Sequence, residues 1–232
     1  MTCGAVVVAA GQSARMGFNK TLAQLAGREV LFRVLDVVDQ APDIQHVVIV
    51  SSPDTVESLQ RALEGERYGH VVKVVAGGET RPESVRNGVR ALPSAVDLVL
   101  IHDAARPLVT LDIVERGIQA ACEHGAAIAA IPVTDTIKRV APDGVIETTL
   151  DRTHLYAAQT PQVFLRQWLD DAYDRIGDDL AAGGFTDEAS LLEWAGYRVT
   201  IFSGSSENIK LTTPSDLDLA NAILERRERM GL

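Results

Sequence analysis

Several features that would assign this sequence to a specialised class of protein are missing. The 232 residues contain only 2 cysteines, Cys3 and Cys122, which are far apart and form no CxxC motif. Neither a disulfide framework nor a thiolate metal site is therefore expected. No apolar run is long enough for a transmembrane helix, and the apolar start at 4–10 lacks the preceding basic residues of a signal peptide. We expect a cytoplasmic protein with reduced thiols and no membrane association.

Positive charge is also scarce. The 22 Lys and Arg residues stand against 32 Asp and Glu residues, which gives a formal net charge of −10. This balance argues against nonspecific binding to nucleic acid or to anionic membranes. It does not exclude a small anionic substrate, because the local charge around a site decides that. A hydrophobic fraction of 46% is ordinary for a globular protein, and this length is sufficient to bury a core.

Apolar runs alternate with amphipathic stretches in the first part of the chain. The runs are continuously apolar, as is typical of parallel strands that are covered on both faces. We therefore predict an α/β fold with a mostly parallel twisted sheet and helices on both faces. The predicted strands are 4–10, 46–51, 71–75, 96–101 and 126–133, and the predicted helices are 30–39, one opening at Pro53, one opening after Thr80, and 111–124.

The pattern changes after residue 133. Residues 134–165 are richer in polar and β-branched residues, and Pro142-Asp143-Gly144 predicts a turn between strands at 137–140 and 145–149. We interpret this region as a β-arm that leaves the sheet. No repeat or long linker divides the chain, so we expect a single domain over residues 1–232. Its remaining predicted elements are helices at 167–176 and 187–195, a strand at 198–202, and a final helix after the cap Thr213-Pro214-Ser215-Asp216.

The loop after the first strand is rich in small residues and carries two cations. In Ala9-Ala10-Gly11 and the residues after it, main-chain N–H groups can bind phosphate, and Arg15 and Lys20 can neutralise phosphoryl oxygens. The loop matches neither GxGxxG nor the Walker A motif. Ser51 and Ser52 stand where a dinucleotide site would place an acid. The alternative is an ordinary βα turn with two solvated cations.

A second glycine-rich segment comes before a predicted helix. Gly77-Gly78 is followed by Thr80-Arg81-Pro82-Glu83, which has the form of a capping box with Pro in the first turn. The two glycines could free main-chain N–H groups for a ligand near the start of the helix. A tight turn followed by a cap would explain everything here except Arg81 and Ser84.

A third segment, His102-Asp103-Ala104-Ala105-Arg106-Pro107, comes at the carboxyl end of a predicted buried strand. Open α/β sheets bind their ligands at this end of the strands. An Asp at such a place can hold a hard cation such as Mg²⁺, which keeps waters and bridges phosphates. The alternative is a surface ion pair between Asp103 and Arg106.

Taken together, these segments resemble one family over nearly the whole chain, namely 2-C-methyl-D-erythritol 4-phosphate cytidylyltransferase. The segment from His102 to Pro107 is the strongest single match. Eight motifs in family order are much more specific than any one of them. The others are Ala9-Ala10-Gly11 with Arg15 and Lys20, Gly77-Gly78 with Arg81 and Ser84, Asp135-Thr136-Ile137-Lys138, Asp151-Arg152, Thr160-Pro161-Gln162, Thr186-Asp187-Glu188-Ala189-Ser190 and Asn208-Ile209-Lys210.

The resemblance implies a Rossmann-like nucleotidyltransferase fold and cytidylyl transfer from CTP to methylerythritol phosphate in non-mevalonate isoprenoid biosynthesis. It implies Arg15 and Lys20 as catalytic residues, and Mg²⁺ or another divalent cation as cofactor, with Asp103 as the metal contact. The implied nucleotide-binding residues are Ala10, Gly11, Gly78, Glu79, Arg81, Ser84 and Ala104. The implied substrate-positioning residues are Asp103, Arg106, Thr136, Arg152, Thr186 and Lys210.

The resemblance also implies a homodimer. The arm at about 134–158 would be the dimerisation element, and it would carry Thr136 and Arg152 into the active site of the partner. Basic residues would then converge on one cleft of an otherwise acidic protein. These residues are Arg15, Lys20, Arg81, Arg106, Arg152 and Lys210.

Three alternatives to this function remain. Another alditol-phosphate cytidylyltransferase, such as one that uses ribitol 5-phosphate, would differ only in its acceptor contacts. A nicotinamide-dependent oxidoreductase is disfavoured by the glycine spacing and by the missing acid after the second strand. A binding protein without catalytic activity is disfavoured because Arg15, Lys20, Asp103 and Lys210 occur together.

Overall fold

Strands and helices alternate along the part of the chain that the computed structural model describes, residues 1–11, 23–66 and 68–231. Every strand and helix predicted before residue 134 is present, with small shifts in its bounds. The elements are β1 (Cys3–Val8), β2 (Gln24–Leu25), β3 (Arg28–Glu29), α1 (Val30–Val38), β4 (Ile44–Ser51), α2 (Val56–Glu64), β5 (Val71–Ala76), α3 (Arg81–Ala91), β6 (Leu98–Asp103), α4 (Leu111–His124), β7 (Ala126–Pro132), β8 (Lys138–Val140), β9 (Ile146–Thr149), β10 (Tyr156–Leu165), α5 (Arg166–Ile176), α6 (Glu188–Trp194), β11 (Thr200–Ser203) and α7 (Pro214–Met230).

Seven strands form one mixed sheet, in the order β11-β7-β10-β6-β1-β4-β5. The pairs formed by β1 with β4, β1 with β6, β4 with β5, and β7 with β11 are parallel. Only β10 runs antiparallel to its neighbours, β6 and β7. The prediction of a mostly parallel sheet is therefore confirmed, and the carboxyl ends of β1, β4, β5 and β6 lie along one edge.

Helices cover both faces of this sheet, as predicted. Ala5 and Val7 of β1 pack on the face covered by α1 and α4, whereas Val6 packs on the face covered by α3, α5 and α6. The helix α3 lies very close to the strands, because a Cβ added at Gly88 would come within 2.5 Å of Val6 Cγ1. The two faces are thus filled by alternate residues of the same buried strands.

The interpretation of residues 134–165 as an excursion was wrong for its last ten residues. Tyr156–Leu165 forms an interior strand, β10, between β6 and β7. This strand is not recognisable from the sequence because it contains Gln159-Thr160-Pro161-Gln162. Polar residues and Pro are uncommon in the middle of a sheet. The pairing with β7 shifts register between Ala158 and Gln162, which accommodates Pro161 within the strand.

The predicted hairpin before this strand is present. Strands β8 and β9 pair antiparallel in a separate two-stranded sheet, and the apolar side chains of Val140, Val145 and Ile146 on it are exposed. The range predicted for the arm, about 134–158, overlaps β10 by its last three residues. Within the described residues, none of the helices combines the length and the apolar character needed to cross a membrane.

Candidate active site

The candidate site lies at the edge where the chain leaves β1, β4, β5 and β6. Main-chain hydrogen bonds continue beyond the strand ends, from Ala9 N to Val50 O at 2.7 Å and from Ala104 N to Val8 O at 3.0 Å. They place Ala9 and Ala104 next to the ends of β4 and β1. The first and third predicted segments are therefore neighbours at this edge.

The second predicted segment joins the same edge through contacts that require glycine. A Cβ at Gly77 would lie 2.7 Å from both Ala10 Cβ and Ser84 Oγ. The Ser84 hydroxyl accepts a hydrogen bond from Gly78 N at 3.1 Å and donates one to Thr80 O at 2.9 Å. Ala10, Gly78 and Ser84 are thus brought together, whereas Gly11 is exposed and a Cβ there would contact none of the described residues.

The predicted capping box fixes the start of α3. Thr80 is the N-cap residue and accepts from Glu83 N, while the Glu83 carboxylate accepts from Thr80 N at 2.9 Å. Arg81 is consequently the first residue of the helix, and its side chain reaches the end of β6. Glu79, one residue before the cap, is exposed.

Asp103 is the centre of an ion cluster at this edge. Its side chain is largely buried, and its two carboxylate oxygens accept from different cations: Oδ1 from Arg81 Nη2 at 3.3 Å and Oδ2 from Lys210 Nζ at 2.6 Å. The other terminal nitrogen of Arg81, Nη1, donates to Glu188 Oε2 at 2.9 Å. Burial alone would raise the pKa of Asp103, but Arg81 and Lys210 outweigh it and hold this pKa well below its ordinary value.

The segment before α7 brings Lys210 to Asp103. Leu211 N donates to Ala105 O at 2.8 Å, and the buried Asn208 donates through Nδ2 to Thr160 O at 2.8 Å. The guanidinium of Arg106 donates to Asn208 O at 2.8 Å. Arg106 therefore fastens this segment through main-chain contacts and does not form the surface ion pair with Asp103 that was the alternative interpretation.

His102 is a buried structural residue beside the cluster. Its Nε2 lies 3.1 Å from Arg106 O, which can only accept, so Nε2 carries the proton. In the neutral ring, Nδ1 then accepts from the Thr160 hydroxyl at 3.0 Å, and that hydroxyl in turn accepts from Asp103 N at 3.0 Å. Burial lowers the pKa of His102 from 6.5 to about 4, which keeps the ring neutral.

The structure does not bring every predicted residue to this cluster. Thr136 and Arg152 are exposed on the arm, where Arg152 donates to Thr134 O. Thr186 is exposed just before α6, whose N-cap residue Asp187 accepts from Gln162 Nε2 at 2.8 Å. The catalytic residues predicted from the resemblance, Arg15 and Lys20, lie outside the described residues.

Of the two carboxylates in this ion cluster, that of Asp103 is the candidate to contact a divalent cation, because its side chain is 10% exposed and that of Glu188 only 1%. Among the residues that the structure describes, no group of three or more His, Cys, Asp or Glu side chains could hold a metal. Mg²⁺ in nucleotide sites is commonly held by one or two carboxylates together with phosphates and waters. A cation at Asp103 would share this carboxylate with Arg81 and Lys210 and would take its other ligands from the nucleotide.

Two groups of this site, Glu188 and Thr160, have no role predicted from the sequence. Glu188, which binds Arg81, lies in one of the segments that resemble the family. Its neighbours Asp187 and Ser190 form a capping box, and this local pattern does not indicate that the Glu188 side chain points inward. The contact of Thr160 with His102 was also missed, because the strand that carries Thr160 was not predicted. A signal was present in both cases, since polar residues next to apolar runs are candidates for a buried network.

These features define an α/β protein of the nucleotidyltransferase type, with a glycine-rich segment and an ion-paired carboxylate at the carboxyl ends of its strands. The family model for 2-C-methyl-D-erythritol 4-phosphate cytidylyltransferase matches residues 3–226. A relative with that name from Dehalococcoides mccartyi strain CBDB1 is 42% identical over 224 residues, 96% of each chain. The chain belongs to the 2-C-methyl-D-erythritol 4-phosphate cytidylyltransferase family.

Other relatives agree with this family assignment. The enzyme of that name from Halalkalibacterium halodurans is 42% identical and covers 99% of this chain and 100% of its own length. The crystal structure of 4-diphosphocytidyl-2C-methyl-D-erythritol synthase from Anaerococcus prevotii has a TM-score of 0.84 at 30% identity, covering 97% of this chain and 96% of its own.

The lowered pKa of His102 predicts a stability change in mild acid. The unfolded chain binds a proton at His102 near pH 6.5, but the folded protein binds it only near pH 4. The unfolded state therefore binds more protons between these values, and the free energy of unfolding falls as the pH falls. We expect this residue to account for a loss of about 3 kcal/mol over that window.

Urea unfolding at several pH values measures this effect. His102→Gln should be less stable than wild type at neutral pH and should lose less stability between pH 6.5 and 4. His154→Gln, at an exposed position, is the control and should follow the wild-type curve. An equal acid loss in wild type and His102→Gln would contradict the assignment of a neutral buried ring.

Proposed function

We propose that this chain transfers the cytidylyl group of CTP to 2-C-methyl-D-erythritol 4-phosphate. The products would be 4-diphosphocytidyl-2-C-methyl-D-erythritol and pyrophosphate, within non-mevalonate isoprenoid biosynthesis. The observation that carries this proposal is the Asp103 carboxylate, held between Arg81 and Lys210 beside the glycine-rich segment, in a chain of this family.

The proposed reaction needs positioning and charge stabilisation more than proton transfer. The acceptor phosphate is already anionic near neutral pH, so one of its oxygens can attack the α-phosphorus of CTP in line without a general base. The new P–O bond forms as the bond to the β-phosphate breaks, and pyrophosphate leaves. Catalysis would come from orientation of the two substrates and from cations near the phosphates.

The nucleotide would occupy the edge formed by the first two loops. Main-chain N–H groups of Ala10 and Gly11 would contact the phosphates, with Ala104 beside them. Gly78, Glu79 and Ser84 would surround the cytidine, where the exposed main chain of Gly78 can approach a base closely. Arg15 and Lys20 would stabilise the charge that develops on the triphosphate.

The acceptor would bind on the side of the site that holds Asp103 and Lys210. The Lys210 side chain is 40% exposed while its ammonium contacts Asp103, so Lys210 could meet a phosphate without losing that partner. Thr186 would add a hydroxyl group from the loop before α6. Arg106 would act through the segment it fastens, and Thr136 and Arg152 would complete the pocket from the arm.

Magnesium is the proposed cofactor, held by Asp103 and the CTP phosphates. When bound, such an ion neutralises phosphate charge and favours the departure of pyrophosphate. The chain's own contribution is to hold Asp103 ionised and oriented, and the depressed pKa of Asp103 supports that role.

A cytoplasmic homodimer is the proposed assembly. The arm carries the exposed apolar side chains Val140, Val145 and Ile146, which a second copy of the chain could cover. Thr136 and Arg152 lie on the same arm and would enter the partner's active site. The whole chain would then act as one nucleotidyltransferase domain with a dimerisation arm.

A pyrophosphate-release assay tests the proposed function. The protein is incubated with CTP and Mg²⁺ and with either 2-C-methyl-D-erythritol 4-phosphate or ribitol 5-phosphate. We expect release of pyrophosphate with the first acceptor at a kcat/KM at least about a hundredfold above the second. Higher turnover with ribitol 5-phosphate would reverse the acceptor assignment, and no turnover with either would contradict cytidylyl transfer. Quenching of NADH fluorescence on binding would instead favour an oxidoreductase.

Subunit complementation tests the role of the arm. Arg152→Ala and Lys210→Met should each have low activity alone, because each lacks one acceptor contact. If the arm reaches the partner's site, each mixed dimer contains one site with both residues intact. Co-refolding equal amounts should then restore about a quarter of wild-type activity, by random pairing of protomers. Activity no higher than the average of the two variants would contradict an arm that acts in the partner.

A further inference from the structure

Glu188 is a buried acid to which the proposed reaction assigns no role. It is the first residue of α6, is 1% exposed, and accepts through Oε2 from Arg81 Nη1 at 2.9 Å. Its other oxygen, Oε1, is buried and has no hydrogen-bond partner among the described residues. Arg81 is therefore the contact that holds this carboxylate, and Arg81 is also one of the two residues that hold the Asp103 carboxylate.

A contribution to stability alone accounts poorly for this arrangement. Taking a carboxylate out of water is costly, and a buried ion pair often stabilises a protein no more than apolar residues of the same volume. The cost is greater here because one oxygen is left unsatisfied. Burial raises the pKa of Glu188, and the charge of Arg81 opposes that rise. An orientational role explains why an acid occupies this position.

The main chain of Glu188 is fixed relative to the sheet. Asp187 and Ser190 form a capping box at the start of α6, and Asp187 accepts from Gln162 Nε2 at 2.8 Å. Gln162 belongs to β10 and pairs there with Ile101, two residues before Asp103 on the neighbouring strand. The anchor of Glu188 and the strand that presents Asp103 are thus parts of one rigid framework.

We propose that Glu188 is a positioning residue for the acceptor substrate, because it fixes the Arg81 guanidinium that orients the Asp103 carboxylate. A guanidinium is a planar fork, so when Nη1 is bound by Glu188, the direction of Nη2 toward Asp103 is set. Without Glu188, Arg81 can rotate toward solvent or a substrate phosphate, and Asp103 loses one of its two partners. This proposal rests on the cytidylyl-transfer function proposed above.

Steady-state kinetics of Glu188→Gln distinguish positioning from a purely structural role. The variant keeps the shape of the side chain and removes its charge. We expect KM for methylerythritol phosphate to rise about tenfold, and by a larger factor than KM for CTP, which Asp103 would affect only through the bound metal. A structural role would only lower the fraction of active protein, so both KM values would stay at wild-type values, and that result would overturn the proposal.

Two further variants sharpen this test. Glu66→Gln is the matched control, because Glu66 binds Arg28 at 2.8 Å in a separate ion pair, and its kinetics should equal those of wild type. If Glu188 acts through Arg81, adding Glu188→Gln to Arg81→Lys should change the acceptor KM by less than about twofold. A full tenfold further rise in the double variant would show that Glu188 acts by another route.

Side-chain NMR of Arg81 tests the same claim without turnover. A guanidinium whose Nη1 and Nη2 are both hydrogen-bonded rotates slowly about its Nε–Cζ bond. The wild-type protein should therefore give separate Nη1 and Nη2 signals for Arg81. Arg81→Lys identifies them by their loss, and Glu188→Gln should average them. A single averaged signal in wild type would overturn the positioning role. Turnover of the wild-type protein tests the proposed function, whereas these NMR signals test the positioning role of Glu188. Either one can therefore fail without the other.

Discussion

The site depends on the buried carboxylate of Asp103 at the end of β6. An ionised carboxylate in such a place is unfavourable unless cations reach it. Arg81 comes from the helix after β5, and Lys210 comes from the segment after β11, so two distant parts of the chain must close on this residue. The parallel strands β1 and β6 end at the same edge of the sheet. The contacts of Asp103 with Arg81 and Lys210 form the candidate site at this edge.

This cluster also bears on how a protein of negative net charge can bind phosphate groups. Glu188 and Asp103 balance Arg81 and Lys210, so the four groups are neutral together and add no surplus positive charge to attract phosphates. A chain of net charge −10 must then bind its two phosphate-bearing substrates through oriented hydrogen bonds as well as through charge. In the proposed function, main-chain N–H groups would supply oriented hydrogen bonds, and the partly exposed Lys210 side chain would supply an ammonium.

The strongly periodic parts of the fold and the strand-end segments of the site could be predicted from the sequence. Continuous apolar runs revealed the parallel strands, and Thr80 with Glu83 revealed the start of α3. The strand β10 could not be recognised, because its polar side chains bond to partners remote in the sequence, as Thr160 does to His102. The contact of Glu188 with Arg81 joins residues 107 positions apart, and neither local propensity nor spacing reveals such a contact.

A double-mutant cycle of unfolding free energies for Asp103→Asn and Arg81→Met measures the central interaction most directly. If Arg81 holds Asp103 as an ionised and oriented group, the two substitutions should be coupled by at least about 1 kcal/mol at neutral pH, because each removes the other's partner. Effects that add to within about 0.3 kcal/mol would contradict the account, since the two side chains would then act independently at the edge of the sheet.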